Sequence, residues 1–138
     1  MSYIGRGLVK DTLVRTTEGI FNCEELKYYD RLVDEYTGKA VKVTITRSTC
    51  LGCIKFFLDN RFKISCGPDT EFFNKESSIF AKDLEQGQEI KTCEGFSKII
   101  DIKKYPVMLS VVVLQTCPCI FAAGGILIKG TDKKQWEN

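Results

Sequence analysis

The sequence predicts an all-β domain assembled from short strands with one or two single-turn helices. No segment has a helical period longer than about two turns. Apolar and β-branched residues instead occur in short runs separated by Gly, Pro, Asn and Asp. Residues 22–45 and 80–102 are also similar, since each contains a charged turn ending in Leu, a strand, a Gly turn and a longer strand. A unit of this size cannot bury its own apolar face, so we expect two pseudo-symmetric halves of one domain. Coincidence between two ordinary hairpins is the alternative.

The first half begins with a predicted hairpin over residues 12–21, in which Gly19 supplies the turn. Asn22, followed three residues later by Glu25, is typical of a capping box and predicts one helical turn that ends near residue 27. Strands are then expected at 31–35, at 40 to about 47 and at 54–58, with a Gly turn after the first and a loop at 49–53.

The centre of the chain is the segment 61–73. Phe62, Ile64 and Cys66 alternate with polar residues, which predicts a strand with one buried face. The sequence Gly67-Pro68-Asp69 must then bend the backbone, and the pair Phe72-Phe73 follows. We therefore expect a strand, a sharp corner and an aromatic anchor between the two halves.

The second half follows a polar loop at 74–78 and repeats the order of the first half. A second helical turn is expected before strands at 89–92 and 96–103. Tyr105-Pro106 is expected to break the run, because proline cannot donate to a sheet ladder. A β-branched run at 107–116, a tight corner at 122–125 and a buried strand at 126–129 complete the prediction.

The composition is that of one globular domain of 138 residues. No run approaches the roughly 18 apolar residues of a membrane span, and the first residues lack the apolar run of a signal peptide. We therefore expect an intracellular, cytoplasmic location and no membrane partner. The formal charge of +2 is spread along the chain, and its nearest cluster, Lys98, Lys103 and Lys104, is interpreted as a solvated face. Nucleic acid is not an expected partner.

The chain contains no histidine, so the usual near-neutral acid or base is missing. Two thiol pairs, Cys50 with Cys53 and Cys117 with Cys119, lie on predicted loops, and a Cys-x-x-Cys pair is half of a tetrahedral zinc site. A zinc-stabilised β module is therefore one interpretation. A redox pair is another, and the third is that most of the seven cysteines are reduced and buried. No other cofactor is expected.

Five blocks, taken in order, resemble the Hint domain, the pseudo-two-fold horseshoe fold of inteins, hedgehog autoprocessing domains and related bacterial self-cleaving domains. They are residues 7–14, 22–33, 64–73, 81–90 and 111–130. The first is similar to the opening block of Cys or Ser, an apolar residue, two variable residues and Asp-Thr; the third is similar to the Thr-Pro-Asp-His block. The resemblance implies a Hint-like domain over 7–130, an N-terminal extension of residues 1–6 and a C-terminal tail of residues 131–138.

The resemblance also implies where the reacting groups would stand. Hint chemistry starts with an acyl shift onto the first Cys or Ser, assisted by the Thr and His of the middle block, and ends in inteins with His-assisted cyclisation of Asn. In this sequence the corresponding positions hold Gly7, Gly67, Thr70, Lys129 and Gly130. All five reacting groups are replaced, and groups that act as a unit lose nearly all activity when one is removed. No catalytic residue is therefore expected.

Other residues could have taken over the chemistry. Cys66 precedes Gly67 and Cys119 lies two residues before Phe121, so a thiol activated by Lys129 is an alternative to buried structural cysteines. Asn138 could also be read as a terminal Asn, although it follows Glu137 and not His. Wholesale replacement, and the six residues before Gly7, favour instead a natural free-standing relative that does not process itself.

We expect a catalytically inactive Hint-like domain, not an enzyme, that serves as a protein-binding or structural module. Trp136 in the tail is a candidate docking element for another protein, unless it folds back onto the domain. A viral or mobile-element origin is an expectation by association. The alternatives are a self-processing domain with substituted thiols, a zinc-stabilised binding module and an unrelated small β-barrel.

Overall fold

The computed structural model describes residues 5–116 and 119–132 and contains thirteen strands in that part of the chain. They are β1 (Leu8–Val9), β2 (Leu13–Thr16), β3 (Gly19–Asn22), β4 (Arg31–Val33), β5 (Ala40–Leu58), β6 (Lys63–Cys66), β7 (Glu71–Phe73), β8 (Ser78–Phe80), β9 (Glu89–Thr92), β10 (Gly95–Thr116), β11 (Ile120–Ala123), β12 (Ile126–Lys129) and β13 (Thr131–Asp132). Two 3-10 turns, Cys23–Glu25 and Ala81–Asp83, are the helical elements of the described residues. The all-β class is confirmed. Trp136 lies outside the described residues.

The two halves have the same order of elements. In each, a hairpin (β2–β3 or β7–β8) leads into a 3-10 turn, a short strand (β4 or β9) and a long antiparallel strand (β5 or β10). The bend between turn and strand is also shared: the backbone N–H of Lys27 donates to Asp30 Oδ2 at 2.6 Å, and that of Glu85 donates to Gln88 Oε1 at 2.9 Å. The expected pseudo-two-fold arrangement is therefore present.

The first 3-10 turn forms at the predicted place because Asn22 caps it. The Asn22 Oδ1 accepts the backbone N–H of Glu24 at 3.1 Å, which satisfies a donor that the turn itself leaves free. The second turn begins after Phe80 without a side-chain cap. Its entry is fixed instead by the backbone, since the N–H of Ala81 donates to the carbonyl of Thr70 at 2.8 Å.

Two strands are much longer than the sequence predicts. The expected loop at 49–53 and the expected break at Tyr105-Pro106 are both wrong, because β5 and β10 pair with each other through these segments. The pairing register shifts between Tyr105 and Met108, where the two intervening residues face Gly52, which has a φ of 79°. This is a β-bulge, which lets the strand accommodate proline without a ladder bond. Glycine and proline here bend a continuous ladder.

A central hairpin of β11 and β12 joins the halves. Strand β11 pairs with β2 of the first half, while β12 pairs with β7 and β9 of the second. Its turn is the predicted tight corner: Gly124 and Gly125 have φ of 59° and 79°, as two-residue hairpin turns require. A Cβ at Gly124 would lie 2.6 Å from the carbonyl oxygen of Lys63, so the corner also packs against β6.

The main core lies between the halves. Its largest fully buried side chains include Phe56, Phe72 and Phe121, and the rings of Phe56 and Phe72 meet edge to face with centroids 5.5 Å apart. A smaller core contains Cys50, Cys53 and Val111. It lies near the bend of β5 and β10, where β6 pairs with β5 and β1 pairs with both β6 and β10. No helix in the described part of the chain is long and apolar enough to cross a membrane.

Candidate functional site

The five positions singled out by the resemblance come together in the structure. The backbone N–H of Gly67 donates to the carbonyl of Gly7 at 2.9 Å, and the N–H of Thr70 donates to the carbonyl of Gly67 at 3.2 Å. Gly7, Thr70 and Lys129 line one small cavity of about 20 Å³, and Gly130 follows directly at the end of β12. The opening strand, the central corner and the last hairpin therefore share one cleft.

The cleft leaves no room for a side chain at Gly67. A Cβ there would lie 2.5 Å from the carbonyl oxygen of Gly5 and 3.0 Å from the backbone nitrogen of Arg6. Hydrogen bonds hold this N-terminal segment in place, since Gly5 and Gly7 accept the backbone N–H groups of Asp69 and Gly67. The backbone of residues 5–7 thus occupies the space where the middle-block threonine of a Hint domain would stand.

Two further positions are also closed. Gly7 has a φ of 124°, which side chains rarely adopt, and a Cβ there would lie 2.9 Å from Val111 Cβ. A Cβ at Gly130 would overlap Thr116 Oγ1. At the positions of the nucleophile, the assisting threonine and the terminal asparagine, a side chain therefore requires the surrounding structure to move.

An ion-paired triad occupies the cleft. Arg6 Nη2 lies 3.5 Å from Glu71 Oε1, and Lys129 Nζ lies 3.8 Å from Glu71 Oε2. The Glu71 side chain is only 10% exposed, so its carboxylate is screened less by water than a surface acid. The triad connects the segment before β1 to β7 and β12, and it carries one net positive charge.

Arg6 and Glu71 were not identified by sequence reasoning. The sequence does contain an indication of Glu71. It directly precedes the aromatic anchor Phe72, and a carboxylate in a buried strand has to be paired. No such indication exists for Arg6, since it lies before the block that resembles the Hint domain.

The Thr70 hydroxyl is buried in this cleft, where the Cys66 thiol is its one hydrogen-bonding contact among the described residues. A thiol is a weak hydrogen-bonding group, so Thr70→Val, which keeps the shape and removes the hydroxyl, is expected to raise the free energy of unfolding by up to about 1 kcal/mol. Thr92→Val is the matched control, because Thr92 Oγ1 bonds the backbone of Gly95 and Glu94 and its loss should lower that free energy by about 1 kcal/mol. Chemical denaturation of both variants measures the difference. Equal destabilisation by the two would contradict the assignment of Thr70 as weakly hydrogen-bonded.

The thiols proposed as substitute nucleophiles lie in unfavourable surroundings. Cys66 is fully buried, and burial raises the pKa of its thiol far above the ordinary value. Cys119 is also buried, with its Sγ 3.3 Å from Thr116 Oγ1. A thiol attacks as the thiolate, so a raised pKa makes a poor nucleophile at neutral pH.

The three described cysteines of the predicted zinc site are divided between two cores. Cys50 and Cys53 belong to the smaller core, where burial raises the pKa of Cys53 to about 12, whereas Cys119 packs in the main core. No group of three or more His, Cys, Asp or Glu side chains in the described ranges is arranged to hold a metal ion. Cys117 lies outside the described residues, so the zinc site stays a prediction.

Cys93 is the exposed thiol among the six described cysteines. Its pKa is raised by partial burial, and by the charges of Glu94 and Glu35, so its labelling by a disulfide reagent should accelerate as the pH rises above the ordinary thiol value. Cys93→Ser is expected to remove one equivalent of thiol from the native-state reaction. Cys23→Ser should remove none, because Cys23 is fully buried and has a pKa raised to about 11 by burial. A loss of native labelling in Cys23→Ser would contradict this assignment.

Comparisons with known proteins identify the fold. No protein-family model matches the chain, and no curated protein matches it. Among solved structures, the gp41-1 intein superposes with a TM-score of 0.79 at 20% identity, covering 90% of this chain and 98% of that one. The bacterial intein-like domain from Clostridium thermocellum has a TM-score of 0.75 at 15% identity, and the match covers 96% of this chain and 99% of that one. The DnaB intein from Synechocystis sp. PCC 6803 has a TM-score of 0.76 at 14% identity, and the match covers 91% of this chain and 98% of that one. The chain has the intein, or Hint, fold.

Proposed function

We propose that this chain is an intein-fold domain that does not process itself and that serves as a protein-binding module. The supporting observation is the closed cleft, in which the backbone of Gly5 and Arg6 fills the space beside Gly67. An acyl shift needs a nucleophile, an assisting group and a free approach to the scissile carbonyl. Here the first two are replaced by glycine, and the main chain of Gly5 and Arg6 leaves no space for an assisting side chain at position 67.

The ion triad fits a binding role better than a catalytic one. Its carboxylate, Glu71, is engaged at one oxygen by Arg6 and at the other by Lys129, so neither oxygen is free to contact a reacting group. The same contacts fasten the N-terminal segment to the final hairpin, so they stabilise the arrangement that closes the cleft.

Intact mass measurement tests the absence of processing. The domain is placed between two reporter domains and incubated with dithiothreitol or hydroxylamine, with the gp41-1 intein in the same context as the active control. We expect one unchanged species. Release of either reporter, or ligation of the two, would overturn the proposal.

A groove between the two halves is the candidate binding surface. It has a volume of about 1040 Å³ and is lined by the turn at 34–36 of the first half, the 73–78 loop and 91–96 turn of the second, and the edge of the β11–β12 hairpin. Such a volume is at the upper end for ligand sites and suits a short extended peptide. Tyr36 is 77% exposed on its wall, so its ring is available to contact a ligand.

Lys91 is the groove lysine that favours an acidic residue in a bound peptide. Its Nζ lies 5.6 Å from the centroid of the Tyr36 ring, and it has no ion-pair partner among the described residues. The other lysines of the wall are paired, Lys75 with Glu89 at 3.7 Å and Lys129 with Glu71 at 3.8 Å. Of the acids, Glu35 pairs with Arg15 at 3.0 Å and Asp34 accepts backbone and hydroxyl donors of its own turn, whereas Glu76 of the 73–78 loop has no ion pair among the described residues. We therefore expect the acidic residue of the peptide to lie beside Tyr36, where Lys91 is available.

Peptide display against the immobilised domain tests this surface. Selected peptides should be enriched in Asp and Glu, and their affinity should fall about tenfold in Tyr36→Ala. Phe80→Ala is the matched control, because Lys82 covers the Phe80 ring at 5.3 Å outside the groove. Failure to select peptides, or an equal loss in Phe80→Ala, would reject the groove as the binding surface.

A further inference from the structure

A basic face is formed by three lysines around one aromatic ring. Lys55 and Phe57 lie on the same side of β5, and the sheet register places Lys103 of β10 opposite Lys55 and Lys63 of β6 opposite Phe57. Directly opposed residues share a face of the sheet. The three lysines are distant in the sequence, so the cluster is created by the pairing of three strands.

The arrangement is costly for the folded protein. Lys55 and Lys103 face each other directly, and like charges at such a cross-strand pair are destabilising. None of the three lysines has an ion-pair partner in the described part of the chain. Asp101 is the acid of this face, where it stands opposite Phe57, and its Oδ1 accepts the backbone N–H of Ile102.

Two of the lysines lie over the ring of Phe57. Lys55 Nζ lies 5.1 Å and Lys103 Nζ 5.4 Å from its centroid, so both ammonium groups are held over one ring. Surfaces that bind single strands combine aromatic rings with cations, and a base that stacked on Phe57 would displace the two ammonium groups toward its flanking phosphates. Tyr105 lies one pair beyond Lys103 on the same side of β10, opposite Cys53, and offers a second ring about 7 Å along the strand.

We propose that this basic face binds single-stranded nucleic acid. An acidic peptide would satisfy the lysines but leave the flat rings unused, whereas a nucleic acid strand offers a base for each ring and a phosphate for each ammonium group. The expectation against nucleic acid rested on lysines near one another in the sequence, and it did not include Lys55 or Lys63. No residue of this face lines the groove, so either proposal can fail alone.

Fluorescence anisotropy of a fluorescein-labelled oligo(dT) of about 20 nucleotides tests the proposal. With three lysines in contact, the logarithm of the binding constant should fall with the logarithm of salt concentration at a slope of about −2. Lys55→Gln combined with Lys103→Gln should weaken binding at least tenfold at low salt. Phe57→Leu, which keeps an apolar side chain and removes the ring, should weaken it severalfold.

Matched controls separate the face from net charge. Lys27→Gln with Lys39→Gln removes the same charge from exposed lysines elsewhere and should change binding less than twofold. Circular dichroism on each variant verifies folding. The proposal is overturned if oligo(dT) does not bind at low salt, if the two double variants lose affinity equally, or if a poly-glutamate peptide competes as well as oligo(dT).

Discussion

Gly67→Ala is expected to lower the free energy of unfolding by about 3 kcal/mol. The added Cβ would lie 2.5 Å from the Gly5 carbonyl oxygen, and that atom is part of a backbone segment fixed by its hydrogen bond from Asp69. Neither partner can rotate away, so either the corner after β6 or the N-terminal segment must shift. Urea denaturation measures the loss.

Gly38→Ala is the control for this variant. Gly38 has a φ of 75°, which costs an alanine about 1 kcal/mol, but a Cβ there meets no atom within 4 Å. Gly67 should therefore be the more damaging position although its backbone is not in the left-handed region. If Gly67→Ala costs no more than Gly38→Ala, the N-terminal segment does not close the cleft.

Phe72→Ala is expected to destabilise the domain by about 3–5 kcal/mol, the usual cost of truncating a buried aromatic ring. Phe72 is fully buried, stacks edge to face on Phe56 and pairs with Ile128 of β12. Its loss also loosens β7, which carries Glu71 into the cleft. The midpoint of denaturation, compared at constant slope, measures the effect.

Phe96→Ala is the control for the aromatic core. Phe96 is 39% exposed, and its main contact is the ammonium group of Lys75 at 5.7 Å. Its removal should cost about 1 kcal/mol or less. A similar loss in both variants would mean that the main core is not centred on Phe72.

The elements that the sequence predicted well are those set by local chemistry. The β2–β3 hairpin, the 3-10 turn after Asn22 and the Gly124–Gly125 corner follow from glycine at turns and a capping side chain, which act within a few residues. The repeat of these features in the second half predicted the pseudo-symmetry. None of them depends on a distant partner.

The continuity of β5 and β10 could not be predicted in the same way. Gly52 and Pro106 each predict the end of a strand. Because they lie opposite each other in the sheet, they form a single β-bulge and both strands continue past it. The extra residue beside Pro106 takes up the distortion, so both ladders continue. The pairing of residues across a sheet depends on the whole fold, so it cannot be predicted from the sequence of either segment alone.

The candidate site was half predictable. The resemblance placed Gly7, Gly67 and Gly130 in one cleft, and the structure brings them there. The closure of that cleft was not predictable, because it depends on the path of residues 5–7 over the central corner. The same limit applied to Lys55, Lys63 and Lys103, which become neighbours only through strand pairing.

The most direct measurement is the thiol reaction of a variant in which the family's groups are supplied. The variant combines Gly7→Cys, Gly67→Thr and Thr70→His, and intact mass is followed in dithiothreitol beside an active intein. Because a Cβ would clash with the Val111 side chain at Gly7 and with the Gly5 backbone at Gly67, we expect no cleavage after Arg6 and a midpoint of thermal unfolding well below that of the parent chain. Thiol-dependent release of residues 1–6 from a variant that unfolds at the parent's temperature would show that the cleft is open, and it would contradict the account.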